Sequence, residues 1–145
     1  MLSDQISSHF SYDELTRTDT GLDNVPNVEQ GASLVRLCDT ILEPMRALVG
    51  PLHVNSGFRT LAVNQAIPGS ALHSQHMLGQ AADVVPPMDL RVAFEIVKES
   101  SIPFDQLIWE PTWIHISVAA LDTNPRRQCL RASRTETGGF TYVPA

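Results

Sequence analysis

Five histidines are candidates for chemistry: His9, His53, His73, His76 and His115. His76 is followed seven residues later by Asp83, in the string Ser74-Gln75-His76-Met77-Leu78-Gly79-Gln80-Ala81-Ala82-Asp83. A turn entering a strand spans that length and can return the carboxylate to the side of the imidazole. A second imidazole, His115, on a later strand would complete a two-histidine, one-carboxylate set. Such a set suits Zn²⁺ and leaves a fourth position for water. On spacing alone, a His and an Asp so placed also arise by chance, and that alternative stands beside the metal reading. His9, His53 and His73 read as exposed or strand-end side chains. Cys38 and Cys129 are too few for a disulfide framework and lack CxxC spacing, so both read as reduced, small apolar residues.

These residues need elements to position them. His9 to Asn27 carries Phe10, Tyr12 and Leu15 and reads as a lead-in strand or turn with a short helix. Asn27 with Gln30 forms a capping-box pattern. Leu34, Leu37, Cys38, Ile41, Leu42, Met45 and Leu48 then recur at helical spacing. Pro44 should kink or restart that helix, and Gly50-Pro51 ends it. Leu52 to Ser56 reads as a strand entering Gly57-Phe58-Arg59, with Thr60 capping a brief helix through Ala66 before the Pro68-Gly69-Ser70 loop. Ala81 to Val85 is a short apolar strand, and Asp89 caps a helix over Leu90 to Ser100 that buries Leu90, Phe94 and Val97. Asp105 to Glu110, the turn Pro111-Thr112, and Trp113 to Ala119 form a hairpin. Alternation puts Ile114, Ile116 and Val118 on its core face and Trp113, His115 and Ser117 on the other, which is either the floor of a site or a solvated face. Asn124 to Ala145 holds four of the nine arginines and a Gly138-Gly139 turn. It reads as a solvated terminal hairpin, with contact to an anionic polymer as the lesser alternative.

At 145 residues and 43% hydrophobic, the chain makes one domain with one core. The expected class is α+β, a small antiparallel sheet packed against helices, with the core over about 10–118 and the terminal hairpin over 124–145. Neither repeats nor linkers suggest a second module. A net charge of −6 and a pI near 5.2 argue against a protein that wraps nucleic acid or is held to an anionic membrane by charge, and favour small-molecule or peptide chemistry. No stretch approaches the roughly 18 apolar residues of a membrane span. The opening MLSDQISSHF lacks the basic start and apolar run of a secretory signal, so the chain is expected to be made and left in the cytosol; separately, a monomer is expected.

The string S-x-H-x-x-G-x-A-x-D, preceded by Ser56-Gly57-Phe58-Arg59 and followed by a glutamate and then Trp113-Ile114-His115-Ile116-Ser117, closely resembles the zinc D-Ala-D-Ala carboxypeptidase family. That family includes phage L-alanyl-D-glutamate endopeptidases and D-alanyl-D-alanine dipeptidases, and its fold is shared with the hedgehog signalling domain. The resemblance runs from about Phe10 to Val118 and is nearest to short endolysin-like members. It implies that His76, Asp83 and His115 hold zinc and that Arg59 grips a substrate carboxylate or the developing oxyanion. Ser74 and Gly79 would shape the ligand loop, Ser74 and Trp113 would join Arg59 on the substrate side, and Ala81 would have to be small beside the metal. Several members carry an acid three residues before the last histidine, where this chain has Thr112. The nearest carboxylate is Glu110, five residues before His115, and the resemblance makes it the general base. The implied activity is hydrolysis of an amide bond in peptidoglycan stem peptides, by a phage or prophage lysis enzyme that waits in the cytosol and acts on the cell wall. The rivals are a non-catalytic metal-binding module on the same fold, and a carboxypeptidase or dipeptidase trimming D-Ala-D-Ala ends in place of an endopeptidase.

Overall fold

Asn27 starts the longest helical stretch by a reciprocal cap: its side chain accepts from the Gln30 N–H at 2.8 Å, and the Gln30 side chain accepts from the Asn27 N–H at 2.8 Å. The computed structural model describes residues 4–145; Met1–Ser3, part of the opening stretch read for a secretory signal, lie outside it. Helix α1 spans Tyr12–Thr16, α2 Val28–Leu37 and α3 Glu43–Val49, with a π-helical segment, Cys38–Leu42, joining the last two. That segment is how the restart expected at Pro44 is realised. Proline has no N–H to donate and is tolerated in the first turn of a helix, so α3 begins anew around it while the widened turn before it keeps the chain helical. Helix α4 spans Leu61–Ala66 and α5 spans Leu90–Lys98, capped by the side chains of Thr60 and Asp89.

The strands are β1 His53–Ser56, β2 Ala81–Val85, β3 Phe104–Trp109, β4 Ile114–Val118, β5 Gln128–Arg134 and β6 Phe140–Pro144. They form one six-stranded sheet in the order β1-β2-β4-β3-β5-β6. The expected small antiparallel sheet is therefore larger and mixed, because β5 runs parallel to β3. The reason lies in the connection. β4 ends beside the start of β3 (Phe104 opposite Val118), and the chain crosses at that end, so β5 must begin where β3 begins. Arg126 pins the crossing with a forked contact to Asp105, at 2.8 Å from Nη2 to Oδ2 and 3.2 Å from Nε to Oδ1. Arg127 adds bonds to the carbonyls of Lys98, Ser100 and Ile102.

The core lies between the helices and one sheet face, where Phe10, Leu15, Leu34, Leu37, Ile41, Leu42, Met45, Phe94, Leu107, Ile114 and Ile116 are fully buried. Each such side chain contributes about 1.5–3 kcal/mol by leaving water. Trp109 packs on Phe94 from the same face. The opposite face, carrying Asp83 and His115, is left for chemistry. Among the described residues no helix is long and apolar enough to cross a membrane.

Candidate active site

His76 sits in a 3₁₀ turn, Gln75–Leu78, whose start is capped by Ser74: the serine Oγ accepts from the His76 N–H at 3.1 Å. Gly79 closes the turn in the left-handed region at φ +72°, and a Cβ there would lie 2.4 Å from the Gln30 carbonyl oxygen, so only glycine fits. The Ser56–Arg59 segment grips this turn twice. The Arg59 N–H donates to the His76 carbonyl at 3.0 Å, and His76 Nδ1 donates to the Gly57 carbonyl at 2.7 Å. A carbonyl can only accept, so the Nδ1 proton is fixed and Nε2 keeps its lone pair. That Nε2 stands 3.3 Å from Asp83 Oδ1.

Asp83, in the middle of β2, lies directly across from His115 on β4. His115 Nδ1 is 2.9 Å from the same Oδ1. One ligand atom from each of His76, Asp83 and His115 falls within 4.8 Å of the others, and the two rings meet edge to face at 5.2 Å. Burial pushes the Asp83 carboxyl up, but the charge and hydrogen bonds of His76 and His115 outweigh it and hold Asp83 well below the usual carboxylate range. Burial lowers His76 against the pull of Asp83, keeping it neutral. An ionised carboxylate and a neutral imidazole of fixed tautomer are the states a metal requires. The donor set therefore fits a zinc-type cation, with His76 Nε2, Asp83 and His115 as its holders.

Arg59, expected to reach for substrate, is tied into the ligand set. Its Nη2 donates to Asp83 Oδ2 at 3.3 Å, Nε to Ser56 Oγ at 2.9 Å and Nη1 to Asn64 Oδ1 at 3.4 Å. A guanidinium has five N–H groups, so two remain for another partner. Beside it opens a cavity of about 480 Å³, which Arg59, Ser56, Arg17 and Thr18 line together with Phe58 and Val63; the three metal-site residues do not line it.

Glu110 follows β3 directly, its backbone N–H bonded to the Trp113 carbonyl at 3.0 Å across the turn. Its side chain is nearly buried and receives the Tyr142 hydroxyl, 2.9 Å from Oε1 and 3.3 Å from Oε2. Burial raises the Glu110 carboxyl, with the Tyr142 bond and His115 opposing. Burial and Glu110 together push the Tyr142 phenol up to about 12, so it stays a donor. Trp113 shares the sheet face of His115, and its buried indole N–H has no partner among the described residues. Thr112 is exposed in the turn. His53 and His73 are exposed, and His9 pairs with Glu43 at 2.7 Å, away from the cluster.

Sequence reasoning missed three supports. Tyr142 was hidden because the tail read as a solvated hairpin, and no local spacing announces the β3–β5 pairing. The Gly57 carbonyl that orients His76 carries no side-chain signal at all. Gln75, next to the ligand, donates to Asp105 at 3.2 Å and to the Val118 carbonyl at 3.3 Å, anchoring the histidine turn to the sheet.

A histidine in the turn before β2, a carboxylate on β2 and a histidine on β4, with a further carboxylate in the β3–β4 turn, make up a candidate hydrolytic metal centre. The family model described as Peptidase M15 matches residues 8–117, so the chain belongs to that family and is a metallopeptidase. A comparison with curated proteins gave no match. The matched residues contain His76, Asp83, His115, Arg59 and Glu110, and end before β5.

Proposed function

We propose that the chain is a zinc peptidase that hydrolyses an amide bond in peptidoglycan stem peptides, in the setting of a phage or prophage lysis enzyme acting on the cell wall. The observation that carries this reading is the convergence of one ligand atom each from His76, Asp83 and His115 within 4.8 Å, with Glu110 held in the turn of the hairpin that carries His115. The bound ion would supply Lewis acidity, polarising the scissile carbonyl and making water a better nucleophile at neutral pH. The protein supplies the rest. Gly57 fixes the His76 tautomer and Arg59 holds Asp83 in place. Glu110 accepts the proton of the attacking water at its carboxylate and delivers it to the leaving amine, a role worth about 10²–10⁴-fold. The two uncommitted N–H groups of Arg59 are available to an anionic group of substrate, and the adjacent cavity, with Arg17, Asp19 and two threonines on its wall, offers polar contacts to a peptide. Ser74 serves this reading through its cap on the ligand turn, and Trp113 as a wall beside Glu110.

The hedgehog-like topology belongs to the same proposal. Its support is the chain order, with one ligand in the turn before β2, one on β2 and one on β4. Purified protein loaded with one equivalent of zinc should release fragments from muropeptides, and product masses identify the bond cut. An L-Ala-D-Glu endopeptidase and a D-Ala-D-Ala carboxypeptidase give different masses. His115→Ala should lose both zinc and hydrolysis. A zinc-loaded wild type that cleaves no stem peptide would favour the non-catalytic metal-binding reading.

A further inference from the structure

We propose that Tyr142 is a positioning residue for hydrolysis, holding the Glu110 carboxylate at the metal centre from the C-terminal hairpin. This rests on the reading of Glu110 as the general base. The hairpin then becomes a working part of the site, contributed by a segment beyond the residues that the Peptidase M15 model matches.

The register of the sheet carries the argument. Trp109 pairs with Arg131 on β5, and Ala132, the next residue, pairs with Tyr142 on β6. Glu110, Ala132 and Tyr142 therefore lie in one row across three strands, with side chains on one face. Adjacent strands are about 4.8 Å apart, so the backbones of Glu110 and Tyr142 are roughly 10 Å apart. Two long side chains meeting over a short one are needed to close that gap. The methyl of Ala132 is the short one, and the tyrosine hydroxyl arrives 2.9 Å from Oε1.

Among the described residues, Tyr142 is the only hydrogen-bond donor to the Glu110 side chain. The backbone of Glu110 is fixed by Trp113, but its side-chain torsions are not. The bond with Tyr142 sets them. The contact is also not part of the hydrophobic core. Tyr142 is 47% exposed, and its hairpin neighbour Phe140 is 44% exposed. An exposed edge tyrosine gains nothing for the core by turning its hydroxyl inward onto an acid; what it changes is the orientation of that acid.

The test is Tyr142→Phe, which removes one oxygen. Zinc-loaded wild type, Tyr142→Phe, Glu110→Gln and the double variant are compared on purified muropeptides. Tyr142→Phe should lower kcat about 10-fold or more with KM little changed, and by less than Glu110→Gln, since a misdirected base still works part of the time. In the Glu110→Gln background the same change should cost nothing further, because the tyrosine acts through the carboxylate. Ala132→Leu, which pushes a longer side chain between the two while leaving both residues in place, should reproduce the kcat loss. Zinc content should stay at the wild-type value in Tyr142→Phe, and the variant should remain folded at the assay temperature with the modest fall in thermal midpoint expected when a nearly buried carboxylate loses its donor. The contact itself is read in apoprotein by carbon-13 NMR of the tyrosine Cζ. Only Tyr12 and Tyr142 contribute, and Glu110→Ala should move one resonance. An active wild type with an equally active Tyr142→Phe overturns the inference alone, as does an equal loss in the Glu110→Gln background or a Cζ signal that Glu110→Ala leaves unmoved. An inactive wild type overturns the functional reading on which it rests.

Discussion

Replacing Gly79 with alanine tests how the ligand turn is seated. Gly79 has φ +72°, and a Cβ there would lie 2.4 Å from the Gln30 carbonyl oxygen and 3.2 Å from its carbon, where ordinary contact begins at 3.4 Å. The turn and the start of α2 must therefore separate by about 1 Å, and they are not free to do so. Gln30 is committed to the α2 cap and also donates to the Met77 carbonyl at 3.2 Å. Two costs combine: about 1–2 kcal/mol for a left-handed alanine and about 1–3 kcal/mol for overpacking a fixed contact. Gly69 separates them, since it has φ +77° and nothing within 4 Å of its would-be Cβ. Gly69→Ala should show the conformational cost alone. Urea unfolding of both apoproteins in chelator, fitted with a shared slope, should give Gly79→Ala a total loss of about 2–5 kcal/mol, with Gly69→Ala at about 1–2 kcal/mol. Zinc affinity should fall in Gly79→Ala, because His76 rides on the displaced turn, and stay unchanged in Gly69→Ala. Equal losses in the two variants would refute the steric argument and leave backbone conformation as the sole reason for glycine at 79.

Other predictions concern charge. His76 is held below the ordinary histidine value by burial, so the unfolded chain binds that proton more readily; apoprotein stability should be full above the ordinary range near 6.5 and fall as pH drops through it. Asp83, also lowered, extends the loss at more acid pH, and His76→Gln should flatten the first limb of the thermal midpoint against pH. Arg59→Lys, which keeps charge but loses the fork that joins Ser56, Asn64 and Asp83, should weaken zinc affinity about 10- to 100-fold as well as turnover, both measurable by competition with a chelator and by muropeptide assay. Glu110→Gln should keep zinc and lower hydrolysis by at least about 10²-fold. Its thermal midpoint at pH 8 should rise, because burial of the charged carboxylate works against the fold and a neutral amide removes that cost. Thr112→Ala, exposed in the turn, should change neither quantity.

The sequence by itself determined the local rules. Asn27 with Gln30, Thr60 and Asp89 are caps because their side chains bond N–H groups three residues on, a contact that needs no tertiary neighbour. The alternation through Trp113–Val118 put His115 opposite the core face for the same reason, since the strand period is a property of the backbone. The His76-to-Asp83 spacing left the metal reading and a chance pairing both open; it was the resemblance of that string, with Arg59 and the Trp-Ile-His-Ile-Ser run, to a zinc peptidase family that pointed to His76, Asp83 and His115. Tertiary structure decided what those residues touch. The Asp83–His115 pairing depends on β2 lying beside β4, and the hold of Arg59 on Asp83 depends on β1 lying beside β2. The parallel entry of β5, which brings Tyr142 to Glu110, depends on which end of β3 the chain crosses. Such contacts join residues 24 to 32 positions apart, and their cause is the packing of strands whose order no local pattern encodes.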